Sequence, residues 1–300
     1  MQNITAHIQL LICNLIWACG YPLYNFVMPK YIEPIPLFTA TTIVTALLSL
    51  TSLAWRTEET PRVERRDMFA IVGAALLIAL LRKGMLIVGL SMTSPIDGSI
   101  ISSIGPVVVL VISVAMRLER FSPRKAIGIL LGLGGALGVI LSGGGTAHQT
   151  SGVVGNILML LCAFISAIYM IWFKGLLKKY DPLTLLRWMF CITAVVFLPF
   201  GLDTLLTVDT AKFTPHVWLA VAYLVVMPTY FPNLLLTSAL KRVSPTVSST
   251  YIYVQPTVAV AISIAAGLDT LRFVTVVFAS LIFAGVAVVI SATAAQHRAE

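Results

Sequence analysis

Apolar residues run in long stretches along this chain, separated by short clusters of charge, proline and glycine. Stretches of this kind read as membrane-spanning helices, since about 20 apolar residues are needed to cross the hydrocarbon core. Ten are predicted, roughly at 4–28, 35–55, 68–91, 96–116, 124–142, 152–173, 182–202, 215–238, 246–267 and 271–293. The connections are short, so no soluble domain is expected. One span departs from the pattern. In ALLIALLRKGMLIVGL (75–90), Arg82 and Lys83 follow fourteen uncharged residues (68–81) and precede thirteen more (84–96). Neither half could cross alone, which places both charges near the middle of the third span. Each costs about 2.5–3.5 kcal/mol on insertion scales at a helix centre.

Composition agrees with a membrane protein and narrows the class. Of 300 residues, 58% are hydrophobic and only 11% are charged, against about a quarter charged in soluble domains. The net charge of +8 does not point to nucleic acid, because no basic run stands free of an apolar segment. It fits lysines and arginines at membrane edges instead. With the N-terminus in the cytoplasm, fourteen of the 20 basic residues fall in inner loops and at the C-terminal end, while only Lys30, Lys212 and Arg272 fall outside. Both termini are therefore expected to be cytoplasmic. Cys13, Cys19, Cys162 and Cys191 lie in apolar segments without disulfide or metal spacing and read as packing residues. The first span lacks a basic leader and a cleavage site, so it is expected to be retained.

The chain also repeats itself. SPIDGSIISSIGPVVVLVISVAMRLER (94–120) aligns with SPTVSSTYIYVQPTVAVAISIAAGLDT (244–270) at a constant offset of 150, matching Pro95 with Pro245, Pro106 with Pro256, Ser113 with Ser263 and Glu119 with Asp269. Gly135 matches Gly285 at the same offset, and Cys13 and Lys30-Tyr31 match Cys162 and Lys179-Tyr180 at 149. Two five-span units are expected, 1–148 and 149–300. Five is odd, so the second unit inserts upside-down relative to the first. The fold class is an all-α membrane protein of ten transmembrane helices in two inverted five-helix repeats, an architecture that places solute sites near the midplane between halves.

LERFSPRKAIGILLGLGGALGVIL (118–141) and IYVQPTVAVAISIAAGLDTL (252–271), with the ten-span repeat, resemble the drug/metabolite transporter superfamily of EamA type. The resemblance covers essentially the whole chain. It implies a secondary transporter of the bacterial inner membrane, with amino acids, sugars, nucleotides and cofactors among the solutes of such proteins, and it tilts towards export. Two positions depart from the family pattern: Asp269 stands where glutamate is usual, and Phe278 is the repeat partner of Gly128.

The residues themselves suggest where a solute would bind. All twelve carboxylates fall in loops or at span ends, so no acidic residue is expected at the depth of Arg82 and Lys83. Three accounts of the basic pair follow. The side chains snorkel or donate to freed backbone carbonyls; one faces a water-filled cavity; or one is the counter-charge for an anionic solute. At offset 150 the pair meets Pro232-Asn233 in VVMPTYFPNLLL, where Pro228 and Pro232 predict a broken helix. Asn14, Trp17, Tyr21 and Tyr24 form one stripe on the first span, and Ser248, Tyr251 and Gln255 another on the ninth. Tyr169, Trp172, Tyr230 and Phe231 add aromatic surface. Trp17, Tyr21 and Tyr251 are assigned to a cavity, whereas Tyr24, Tyr31, Trp55 and Trp218 fit an interfacial belt. Arg187 is expected to snorkel to the cytoplasmic surface, and Glu119 and Asp269 to pair with basic residues or helix ends.

The expected binding set is therefore Arg82, Lys83, Asn14, Trp17, Tyr21, Tyr230, Asn233, Tyr251 and Gln255, with helix breaks at Pro228 and Pro232. No catalytic constellation, metal cluster or phosphate loop appears at span depth, so no enzyme and no cofactor are expected. The partners expected are a small-molecule solute, anionic or zwitterionic, and the lipid bilayer, with no nucleic acid; a monomer satisfies the pattern. A phosphate-ester or organic-anion exchanger of the same fold is the alternative. A non-transporting lipid-handling or receptor protein is the alternative from another class.

Overall fold

A computed structural model of the chain describes residues 2–51, 63–117, 122–141, 149–242, 248 and 251–299. Among these, every regular element is helical. In chain order they are α1 (Gln2–Val27), α2 (Pro34–Thr51), α3 (Arg65–Met92), α4 (Pro95–Ala115), α5 (Pro123–Leu141), α6 (Gln149–Lys179), α7 (Pro182–Leu206), α8 (Pro215–Leu240), α9 (Tyr251–Ala265) and α10 (Phe273–Ala299). Eight are long and apolar enough to cross a membrane; α9 and α10 carry shorter apolar helices, Tyr251–Ala265 and Phe273–Val289. Trp55, Glu119, the triple glycine at 143–145 and Ser244-Pro245 lie outside the described residues.

Local chemistry sets many of the helix starts. Pro34, Pro95, Pro123, Pro182 and Pro215 each open a helix, where a missing N–H costs nothing. Ser94, Asp181 and Thr214 cap α4, α7 and α8 by accepting from Asp97 N, Leu183 N and Val217 N.

Four helices are irregular, and the irregularities are paired. Residues 75–82 of α3 form a π turn, while α8 is interrupted at Met227, Pro228 and Thr229. At offset 150, positions 77–79 meet 227–229. α4 is interrupted at Ser103 and Ile104, and α9 opens with a 3₁₀ turn at Tyr251–Tyr253. Prolines explain the breaks in α4, α8 and α9, since Pro106, Pro228, Pro232 and Pro256 remove donors. The π turn contains no proline. Neighbours approach its carbonyls: Thr193 Oγ1 of α7, whose proton goes mainly to Met189 O at 2.9 Å, lies 3.4 Å from Ala75 O, and Cys162 Sγ of α6 donates to Arg82 O at 3.4 Å. Side chains inserted into the backbone ladder are a known cause of such distortion.

The most extensive packing lies between α5 and α10, α2 and α7, α3 and α6, α1 and α8, α1 and α9, α4 and α6, α3 and α7, and α2 and α8. Exchanging α1–α5 for α6–α10 maps this set onto itself, the mark of a duplicated unit folded about a two-fold. Every pair in the set joins one half to the other. Large apolar side chains such as Phe69, Leu130, Phe200 and Phe273 are exposed on the outer surface, where lipid would cover them.

Candidate functional site

Lys83 follows the π turn directly and is buried at 7% exposure. Its Nζ donates to Tyr24 Oη at 2.9 Å, off the hydroxyl edge of the ring. Tyr24 is therefore not an interfacial residue as its position near the end of α1 suggested. It is buried at 3% exposure and holds the charge. Arg82 diverges from Lys83, as adjacent helical residues do. Its Nε donates to Ser166 Oγ of α6 at 2.5 Å, and Ser166 Oγ donates to Cys162 O at 2.7 Å. Among the described residues, no carboxylate pairs with either cation. Both are met by neutral hydroxyls, which satisfy donors but leave the charge uncompensated.

A small cavity adjoins Lys83. It is lined by Phe38, Thr41, Thr42 and Thr45 of α2, Ala79 and Lys83 of α3, Phe190 and Thr193 of α7, and Thr229 of α8. About 10 Å³ is open to the centre of a water molecule, the room for one water and too little for an organic solute. Thr41, Thr42, Thr45 and Thr193 each donate to the carbonyl four residues earlier, at 2.8, 2.8, 2.6 and 2.9 Å. Their lone pairs remain for a ligand or for Lys83. Thr229 Oγ1, in contrast, is buried without a partner among the described residues.

A second polar group crosses between α1 and α9. Tyr21 Oη donates to Gln255 Oε1 at 3.0 Å, Gln255 Nε2 donates to Asn14 Oδ1 at 2.7 Å, and Asn14 Nδ2 donates to Leu10 O at 2.8 Å. All three side chains are buried.

The structure gives two of the expected binding residues a different task. Pro232 cannot donate to the carbonyl of Pro228, four residues earlier, and Trp17 Nε1 takes that carbonyl at 2.9 Å. Asn233 Nδ2 takes Thr229 O at 2.6 Å. Trp17 mends the break in α8, and Asn233 adds a second donor at its edge. Tyr230 is buried with Ala79, Leu186 and Phe190, its ring 6.4 Å from that of Phe190, and so stands behind the cavity wall. Tyr251 lies elsewhere, its hydroxyl 2.7 Å from His7 Nδ1. His7 is seventeen residues before Tyr24 on α1, about 25 Å along the helix. Trp172 is 55% exposed and covers Gly73 from outside. Tyr24, which the sequence placed in the α1 stripe and the interfacial belt, and residues the sequence did not single out, Ser166, Thr193, Thr229 and the α2 threonines, complete the surroundings of the cations.

Polar contacts also join the halves near both membrane faces. Where α3 begins, Asp67 Oδ2 accepts from Lys179 Nζ at 3.0 Å and from Tyr180 Oη at 2.8 Å. The hydrogen bond and negative charge of Asp67 raise the pKa of Lys179 above its ordinary value. Where α3 ends, Asp97 Oδ2 accepts from Arg272 at 2.9 Å and Asp97 Oδ1 from Thr275 at 3.5 Å. Asp269 accepts from Ile96 N at 3.4 Å, the helix-end role expected of it.

A two-fold of helices, irregular at equivalent depths and holding Arg82 and Lys83 without an acidic partner among the described residues, defines the class: a polytopic membrane protein built from a duplicated unit. The chain belongs to the EamA-like transporter family, whose model matches it twice, over residues 4–141 and 153–291. It is similar to the uncharacterized transporter YetK of Bacillus subtilis, at 24% identity over 77% of this chain and 72% of that protein. The uncharacterized transporter YyaM of the same organism matches at 24% identity over 66% of this chain and 65% of its own length. An uncharacterized transporter of Archaeoglobus fulgidus matches at 26% identity over 45% of this chain, which spans just under half (46%) of that relative. A solved structure described as a crystal structure of protein shares the fold, with a TM-score of 0.65 and 18% identity over 96% of this chain and 97% of its own.

Proposed function

We propose that this protein is a secondary transporter that moves a small anionic or zwitterionic organic solute by alternating access, in the direction of export. The halves 1–148 and 149–300 rock about a site between them, in a bacterial inner membrane, with both termini in the cytoplasm. The observation that carries this reading is Lys83, a buried cation at membrane depth held by a tyrosine hydroxyl and facing a cavity, with no carboxylate partner among the described residues. A solute carboxylate entering an opened form of that cavity would supply the missing charge. Thr229 Oγ1 and the threonine faces of α2 and α7 would hydrogen-bond it, and Phe38 and Phe190 would bound its apolar part. The related reading is an organic-anion or phosphate-ester exchanger, for which the fork of Arg82 suits an oxyanion once it leaves Ser166.

The test is thermal unfolding of the purified protein against amino acids, organic acids, phosphate esters and cationic amines. A ligand at 100 times its dissociation constant stabilises the native state by about 2.7 kcal/mol. The expected shift is confined to acids or phosphates and disappears in Lys83→Met. A shift confined to cationic amines, or one that survives Lys83→Met, would overturn the assignment.

A further inference from the structure

We infer that Asp67 with Lys179 and Tyr180, and Asp97 with Arg272 and Thr275, are the two latches that hold the halves shut, one at each face of the membrane. The inference rests on the alternating-access reading. Each cluster joins a residue of the first half to residues of the second: Asp67, at the start of α3, to the end of α6 and the residue after it, and Asp97, at the start of α4, to the start of α10. Because α3 crosses between them, the clusters lie on opposite faces. Between them the cavity beside Lys83 is closed down to the room for one water. The cavity as it stands admits no organic solute, and a solute reaches Lys83 only when the halves part at one face. Parting at the α3 start separates Asp67 from Lys179, whereas parting at the α3 end separates Asp97 from Arg272.

The latches are unequal. Lys179 is 55% exposed and Asp67 15%, whereas Asp97 is 1% exposed. Exposed pairs are weak and screened, and buried ones much less so. The face at Asp67 is therefore the one that opens more readily.

Cys162 reports this directly, since its thiol lies beside Arg82, 3.4 Å from the Arg82 carbonyl, between the two clusters. The protein would carry Cys162 alone, with Cys13, Cys19 and Cys191 replaced by alanine. Membrane vesicles of both orientations would be treated with a membrane-impermeant maleimide. The unmodified latches should give faster labelling from the Asp67 face. Asp97→Asn should raise the rate from the Asp97 face alone, and Asp67→Asn from the Asp67 face alone, each by about 5-fold or more, the lower end of ordinary coupling between states. The exchanged pair Asp67→Lys with Lys179→Asp should restore the starting rate. Should Asp97→Asn fail to fold, Arg272→Gln with Thr275→Val tests the same face.

Unchanged rates in folded variants would overturn the inference. So would a rise at both faces from a single variant, which indicates general loosening. Labelling is independent of the solute. A protein that labels as expected but moves no solute in the same vesicles would sink the transport reading and leave the latches standing.

Discussion

The hydroxyl of Tyr24 has a value that depends on the charge beside it. With Lys83 present, Tyr24→Phe leaves a buried ammonium without its acceptor, at an expected cost of about 1–3 kcal/mol. Lys83→Met removes the charge at similar volume, and a buried charge replaced by an apolar side chain is often neutral or stabilising. The Tyr24→Phe, Lys83→Met double variant should therefore be as stable as Lys83→Met, with the cost of the tyrosine change gone. Denaturant unfolding of the four proteins in detergent checks this cycle; additive costs would show that the two side chains do not work together. The same pair marks the limit of what could be read from the chain. Two charges inside an apolar run stand out in any sequence, so Arg82 and Lys83 were legible. Tyr24 was not, because an aromatic near a span end fits an interfacial belt until the residue packed against it is known. Thr229 and Ser166 were hidden for a plainer reason: hydroxyls are common in membrane helices, and only their neighbours distinguish them.

Among the helices, the breaks and the seams make separate claims. The carbonyl of Pro228 is free because Pro232 has no N–H, and Trp17 satisfies it. Trp17→Phe is expected to destabilise by about 1–3 kcal/mol. In a Pro232→Ala background, where residue 232 can bond the carbonyl itself, that penalty should shrink; an unchanged penalty would mean that Trp17 acts by packing. Along the α5–α10 seam, a Cβ on Gly285 would stand 2.5 Å from Gly132 N and 2.6 Å from Gly128 O, both backbone atoms that cannot yield. Gly285→Ala should therefore prevent normal assembly, seen as loss of monodisperse protein. A Cβ on Gly134, on the same helix as Gly132, would meet nothing within 4 Å. Gly134→Ala should be neutral or stabilising by up to about 1 kcal/mol. The proline breaks and the glycine-rich helices were visible in the sequence because both residue types act through the backbone. The π turn was not, since the side chains that approach it, Thr193 and Cys162, are more than 75 positions away in the chain.

At the scale of the molecule, the internal offset of 150 anticipated the two-fold, and the family model matches each half separately. The latches were not anticipated, because acidic residues at span ends carry no mark of which helix they will meet. Their unequal exposure has a consequence for ionic strength. Raising salt from about 0.1 M to 1 M shortens the screening length from about 10 Å to 3 Å. Labelling of Cys162 should accelerate at the Asp67 face and change little at the Asp97 face. Equal acceleration at both faces would argue against a screened latch at one and a buried latch at the other.

The eight most extensive helix pairings each take one partner from either side of residue 148. In genetic terms the chain is a tethered heterodimer. Cut into two open reading frames at the 142–148 junction, it should yield fragments that are degraded when made singly and that reassemble when made together. Its folding would then depend on the dosage of both genes, as that of an obligate two-subunit complex does.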